Sequence, residues 1–193
     1  MKIEPVGIDG IWIIQNETHV DQRGSFQEWF QSESFQEHTG VNFMPKQANS
    51  SFSKKGVVRG IHYSTSEIGQ AKLVTCMNGE ILDVIFDLRK DSKTFGQFTS
   101  IPLKAHDGKS VYISEGLGHA FMSLQDNSNL VYLLSSTYDP STEHTVHPLD
   151  ATFGYKWPME GIILSERDSL APSLVEQIKV DNLPRMKKVD PII

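Results

Sequence analysis

The run GVVRGIHYS, residues 56–64, sets an arginine and a histidine into an otherwise strand-forming stretch. Val57, Val58 and Ile61 favour a strand, so Arg59 and His62 are the residues to explain. His62 admits three readings. A metal site on β-structure usually offers two closely spaced histidines, a nearby carboxylate and a third histidine on a later strand. Here Ser64 stands where the paired histidine would be, while His119 in EGLGHAF can serve as the later ligand. Half of a metal site is therefore present. As a general base, a neutral imidazole suits proton abstraction near pH 7. It works best with a carboxylate on its other nitrogen, a tyrosine to supply a proton on the far face, and a lysine to steady an oxyanion. Lys72, His119 and Tyr132 lie on later strand-like runs that can face one cavity. That set suits removal of a proton beside a carbonyl. As a structural residue, His62 is a core histidine with a satisfied hydrogen bond, and Tyr132 a core ring with its hydroxyl at the edge. Arg59 and His62 straddle Gly60, so strict strand alternation need not separate them.

Other sequence signals are weaker. There is no GxxxxGK phosphate loop, no GxGxxG and no GxSxG elbow. Arg23-Gly24 after Asp21-Gln22 reads as a turn, with an arginine aimed at a phosphate as its functional alternative. The net charge of -6 and the absence of a long basic run exclude a broad nucleic-acid surface, but a few arginines can still hold a small anion. The single cysteine, Cys76, lies in an apolar run and forms no internal disulfide. No apolar run approaches a membrane span, and the N-terminal residues lack a signal-peptide core, so a cytoplasmic protein is expected.

The elements that must position these residues are mostly short strands: 11–15, 57–63, 72–77, 80–88, 98–103, 110–114, 119–124 and 130–138. Asn78-Gly79, Asp107-Gly108, Glu115-Gly116 and Asp126-Asn127 separate them as turns. EILDVIFDL alternates, with Ile81, Asp83, Ile85 and Asp87 on one face and Leu82, Val84, Phe86 and Leu88 on the other. Such spacing predicts an all-β sandwich or barrel. One early helix is expected over 34–38, stopped by Gly40. From residue 164 the chain becomes a proline-containing extension (Pro172, Pro184, Pro191) with short helical turns. The whole, 1–193, reads as one domain with that extension packed on the barrel.

Taken together, DQRGSFQEWF (21–30), FMPKQANSSFSKKGVVRGIHY (43–63), QAKLVTCMNGEILDVIFDLRKDSKTFGQF (70–98), YISEGLGHAFMSL (112–124), VYLLSSTYDPSTEH (131–144), FGYKWP (153–158) and ILSERDSLAP (163–172) resemble the dTDP-4-dehydrorhamnose 3,5-epimerases. These are metal-free, cupin-type jelly-roll enzymes of nucleotide-sugar synthesis. The resemblance implies an epimerase that inverts C3, C5 or both beside the C4 ketone of a nucleotide-linked 4-keto-6-deoxyhexose. Its alternatives are a single-centre epimerase for another nucleotide 4-keto sugar and a non-catalytic sugar-binding cupin. It implies His62 as base, Asp168 as the carboxylate that orients it, Tyr132 as acid on the opposite face and Lys72 as the enolate's partner. His119 and Tyr138 would lie by the sugar. Arg23, Glu28, Gln47, Asn49, Arg59 and Glu143 would hold the nucleotide diphosphate and its base, and Arg167 replaces a common lysine with its charge kept. No cofactor and no metal are implied. The expected partners are the nucleotide diphosphate-sugar and a second copy of the chain, in a strand-exchanged homodimer. Departures from the family pattern fall at Ser64, commonly glutamine, at Leu133, commonly lysine, and over Pro148–Ala151.

Overall fold

A computed structural model describes residues 1–186. Within them the chain forms β1 (Lys2–Pro5), β2 (Ile11–Gln15), β3 (Thr18–Asp21), β4 (Gly24–Gln27), α1 (Ser32–Thr39), β5 (Gln47–Ser53), β6 (Val58–Ser64), β7 (Lys72–Asn78), β8 (Glu80–Asp87), β9 (Phe98–Lys104), β10 (Lys109–Ile113), β11 (Leu117–Ser123), β12 (Ser128–Leu134), β13 (Glu143–Thr145), α2 (Glu166–Ser169) and α3 (Leu174–Lys179). One antiparallel sheet has the order β1-β2-β10-β7-β12-β5 and the other β13-β6-β11-β8-β9, while β3 and β4 pair only with each other. Asn78-Gly79 carries the chain from β7 in the first sheet to β8 in the second. Gly79 takes φ 74 there, and a Cβ would meet the Ser128 hydroxyl at 2.6 Å. This is the expected all-β jelly roll.

The alternation in β8 is realised as predicted, and both of its faces are buried. Ile81 and Ile85 join Ile11, Val74, Leu103, Phe121 and Leu130 between the sheets. Val84, Phe86 and Leu88 pack outward with Ile61, Tyr63, Phe153, Leu174 and Leu183. Each fully buried side chain of this size contributes about 1.5–3 kcal/mol. The outer layer is why the C-terminal segment stays on the barrel. Phe86 and Phe153 lie 4.7 Å apart, the Tyr63 hydroxyl donates to Asn182 O at 2.8 Å, and Ser173 and Glu176 close a capping box on α3. The opposite sheet is covered by α1 and the segment after it, from which Phe35 and Phe43, respectively, pack on Tyr112.

Several boundaries differ from the sequence expectation. The helix expected over 34–38 runs Ser32–Thr39, with Gly40 as its left-handed cap. The run 130–138 leaves the sheet after Leu134, and Asp21–Gly24 is the turn of the β3–β4 hairpin. Strand β5 was invisible to the pattern, because an edge strand reading QANSSFS has no apolar face. The last residues of the expected extension, including Pro191, lie outside the described part.

The spacing of Arg59 and His62 has a structural cause. In the β6–β11 pair, His62 lies opposite His119 and Arg59 opposite Phe121, so three steps along β6 match two along β11. This irregularity puts Arg59 and His62 on one face. Gly60 sits in it at φ 118, and a Cβ there would meet His119 O at 2.5 Å and Ala120 Cα at 2.7 Å. Gly60→Ala is therefore expected to cost at least ~3 kcal/mol, combining a strained backbone with overpacking against main chain. A urea denaturation curve that keeps the wild-type midpoint would refute this.

Candidate active site

Most of the residues singled out above lie on strands of the two packed sheets or on the segments that join them. β6 supplies His62 from the five-stranded sheet. Its Nε2 lies 2.8 Å from Asp168 Oδ1, and the Gly60 N–H donates to Asp168 Oδ2 at 3.4 Å. Asp168 comes from α2, where the Ser165 hydroxyl oxygen accepts from the Asp168 N–H at 3.1 Å and fixes the turn. The Asp168 side chain is 4% exposed and that of His62 36%, so the carboxylate is sealed and the imidazole can be reached. Burial alone would raise the Asp168 carboxyl, but the bonds from His62, Gly60 and Ser165 overcome this and hold its pKa below the ordinary range. An ionised carboxylate only accepts hydrogen bonds, so Nε2 of His62 carries the proton and Nδ1 is left as the basic atom. Burial pushes the His62 pKa below its ordinary 6.5. Asp168 pulls it up, and Lys72 and Arg167 push it further down.

The pH profile follows from these directions. A protonated imidazole cannot take a proton, so activity is lost as pH falls through the His62 pKa. The acid limb of kcat/KM is expected below pH 6.5, the ordinary histidine value. Asp168→Asn removes the upward pull and moves that limb lower still. The new amide also faces the ring with a donor, which favours the wrong tautomer and reduces kcat about 100-fold. A limb that moves to higher pH in this variant would contradict the assignment.

The six-stranded sheet supplies Lys72 from β7 and Tyr132 from β12. Tyr132 packs on the inter-sheet core, facing inward. Lys72 is buried, and its Nζ reaches over to the His62 carbonyl at 3.4 Å. Burial lowers the Lys72 pKa, while Glu143 and Asp83 pull it back up. Glu143 lies opposite Ser64 across β13 and β6. Burial raises its pKa, opposed by Lys72, Arg167 and a bond from Ser64. Arg167 Nη2 donates to the Glu143 carbonyl at 3.3 Å. His119 lies opposite His62 in register, with its Nε2 2.6 Å from Asp83 Oδ1.

Along the rim, Gln47 Nε2 donates to Asn49 Oδ1 at 2.9 Å, and the Tyr138 N–H donates to Gln47 Oε1 at 2.8 Å. Arg59 Nε donates to the Ser53 hydroxyl at 3.2 Å. The structure thus links His62, Asp168, Lys72, His119, Glu143 and Arg167 by hydrogen bonds, strand register or electrostatic contact, with Tyr132 packed on the core between the sheets; Gln47, Asn49 and Tyr138 form a second hydrogen-bonded set, and Arg59 bonds to β5. It does not bring Arg23 and Glu28 into either set. Arg23 lies at the tip of the β3–β4 hairpin, 89% exposed and paired with Asp21, and Glu28 follows that hairpin. Asp83 is the inward residue for which the sequence suggested no chemical part. Its position between Ile81 and Ile85 on the inner face of β8 was the available signal. Among the described residues, no three His, Cys, Asp or Glu side chains cluster to hold a metal ion, and no helix is long and apolar enough to cross a membrane.

Known proteins match this chain along most of its length. The chain is 46% identical to a dTDP-4-dehydrorhamnose 3,5-epimerase of Mycolicibacterium smegmatis, over 95% of this chain and 91% of that protein. The crystal structure of NovW, a 4-keto-6-deoxy sugar epimerase from Streptomyces spheroides, superposes with a TM-score of 0.93 at 44% identity, covering 96% of this chain and 93% of NovW. ChmJ, a 3'-monoepimerase from Streptomyces bikiniensis solved with dTDP-quinovose, gives 0.90 at 43% identity, over 94% of this chain and 92% of ChmJ. The family model described as dTDP-4-dehydrorhamnose 3,5-epimerase matches residues 5–176, which include every candidate site residue named above, and the chain belongs to that family of isomerases.

Proposed function

We propose that this protein epimerises a dTDP-linked 4-keto-6-deoxyhexose at C3 and C5. What supports this reading is that the candidate base and acid stand on different sheets: His62, backed by Asp168, on the five-stranded sheet, and Tyr132, packed on the core between the sheets, on the six-stranded sheet. His62 Nδ1 takes the proton from the carbon beside the ketone. The C–H electrons move into the ring and onto the C4 oxygen, giving an enolate that the Lys72 ammonium stabilises. Tyr132 returns a proton to the carbon from the other face, the ketone re-forms, and the stereocentre is inverted. His62 then gives its proton to solvent and Tyr132 takes one from it, which returns both residues to their starting states. The chemistry needs only an acid, a base and an oxyanion partner. Arg59, Gln47, Asn49, Tyr138, Glu143 and Arg167 hold the diphosphate, the base and the sugar at the rim, and that remote binding orients the reacting carbon.

Residues 1–193 act in this reading as one catalytic domain, because the C-terminal segment supplies Asp168. Arg23 and Glu28 serve the cavity of a second copy, reached by the β3–β4 hairpin in a strand-exchanged homodimer. The exposed apolar residues Val20 and Phe26 on that hairpin support this. Mixing an Arg23→Ala chain with a His62→Ala chain is expected to recover activity, since one of two shared sites is then intact. No recovery in a verified mixed dimer would sink the arrangement.

Incubation with dTDP-4-keto-6-deoxyglucose in heavy water tests the function. Deuterium at C3 and C5 is the expected result. The likeness to the 3'-monoepimerase ChmJ makes label at C3 alone the second reading. No label at either carbon, with the nucleotide sugar bound, would overturn the assignment.

A further inference from the structure

Two buried aspartates of β8 contrast sharply. Asp87 has every oxygen employed: Oδ1 accepts from Arg89 N and Nε, and Oδ2 from Arg89 Nη2, Ser92 and Thr94. It is a structural carboxylate that ties the β8–β9 loop. Asp83 is as deeply buried but has little of that company. Its Oδ1 lies 2.6 Å from His119 Nε2, and its Oδ2 is buried with no hydrogen-bond partner among the described residues. Ile81 and Ile85 flank it in the apolar core. A carboxylate left half-satisfied in such surroundings costs stability, and an apolar residue there would fold as well or better. Its retention calls for a role other than packing.

The location points to that role. Asp83 lies close enough to Lys72 to favour its cationic form, together with Glu143. The ring it holds, His119, lies directly opposite His62 across the β6–β11 pair. Because Nε2–H of His119 is committed to Asp83, Nδ1 is the nitrogen left for a ligand. We propose that Asp83 is a positioning residue for the epimerisation, fixing the His119 ring against the sugar and supplying, beside Glu143, the negative charge that keeps Lys72 cationic for the enolate. The inference rests on the epimerase reading above, and it makes the cavity a site with two His–Asp pairs, one for proton transfer and one for holding.

Asp83→Asn tests it, because the amide keeps the shape and removes the charge. The variant is expected to lose roughly 30-fold in kcat with little change in KM. The charged and titratable groups around Lys72 are Asp83 from β8, Glu143 from β13, His62 from β6, His119 from β11 and Tyr132 from β12. With one anion removed, Lys72 loses its proton more readily, so the basic limb of the kcat profile moves to lower pH. Because Asp83 acts partly through His119, the losses in Asp83→Asn and His119→Gln should not add in the double variant. Tm should stay at or above the wild-type value. Wild-type kcat and an unmoved basic limb in Asp83→Asn would overturn the proposal, as would full additivity or a loss of activity that tracks a fall in Tm. These outcomes are read only against a wild-type protein that exchanges deuterium; absence of exchange there sinks the epimerase reading itself, and this proposal with it.

Discussion

His62→Ala is expected to reduce turnover about 10⁴-fold, the upper range for loss of a general base, while dTDP still binds. The reason is local. The proton on Nε2 is held by Asp168, so Nδ1 is the basic atom aimed at the cavity, and alanine leaves no group to take its place. Lys72 reaches over to the His62 carbonyl, but its proposed part is to steady the enolate oxygen as an ammonium, not to take the proton. The groups proposed to hold the nucleotide bond elsewhere than to the imidazole: Gln47 to Asn49 and Tyr138, and Arg59 to Ser53. Isothermal titration with dTDP should therefore give a Kd within a few-fold of wild type, and deuterium exchange at C3 and C5 should vanish together. Exchange that persists at either carbon would mean that another residue is the base there.

Tyr132→Phe should separate two events that occur together in the wild type. Without the phenolic proton, His62 still removes the sugar hydrogen and can return a deuteron to the same face. Exchange is then retained while inversion falls about 10³-fold, within the range for a lost general acid. The two walls of the cavity cause this split, since the base and the acid stand on different sheets and neither can reach both faces of the ring. NMR of the recovered sugar reads label and configuration in one sample. Inversion at the wild-type rate in this variant would show that the far-face proton comes from elsewhere, and equal loss of exchange and inversion would place Tyr132 in proton abstraction. The phenyl ring keeps its contacts with the inter-sheet core, so folding should be unaffected.

Much of the fold was legible because strands buried on one or both faces write their period into the sequence. EILDVIFDL is the clearest case, and its inward and outward residues fall where the alternation puts them. Edge elements were not legible. β5 and the β3–β4 hairpin present polar or exposed side chains on both faces, so no apolar period marks them. The site was partly legible in the same way. His62, Lys72, His119 and Tyr132 could be grouped because each sits on an inward face of a recognisable strand. Asp168 could not be joined to His62 from its own residues. It lies 106 positions away on a helical turn of four residues, and the link came only through likeness to a family.

Local order, then, was carried by the chain's own residue types: which segments become strands, where Gly40 ends the helix, and which side chains can take, give or steady a proton. Those depend on backbone preference and side-chain period, which act over a few residues. Pairing was decided only by the tertiary structure. The extra residue in β6 that turns Arg59 and His62 to one side exists only against β11, and the tautomer of His62 exists only once Asp168 is packed beneath it. The contrast between Asp83 and Asp87 also appears only there. Both are inward aspartates of one alternating strand, and what separates them is which hydrogen-bond donors the folded chain brings within reach.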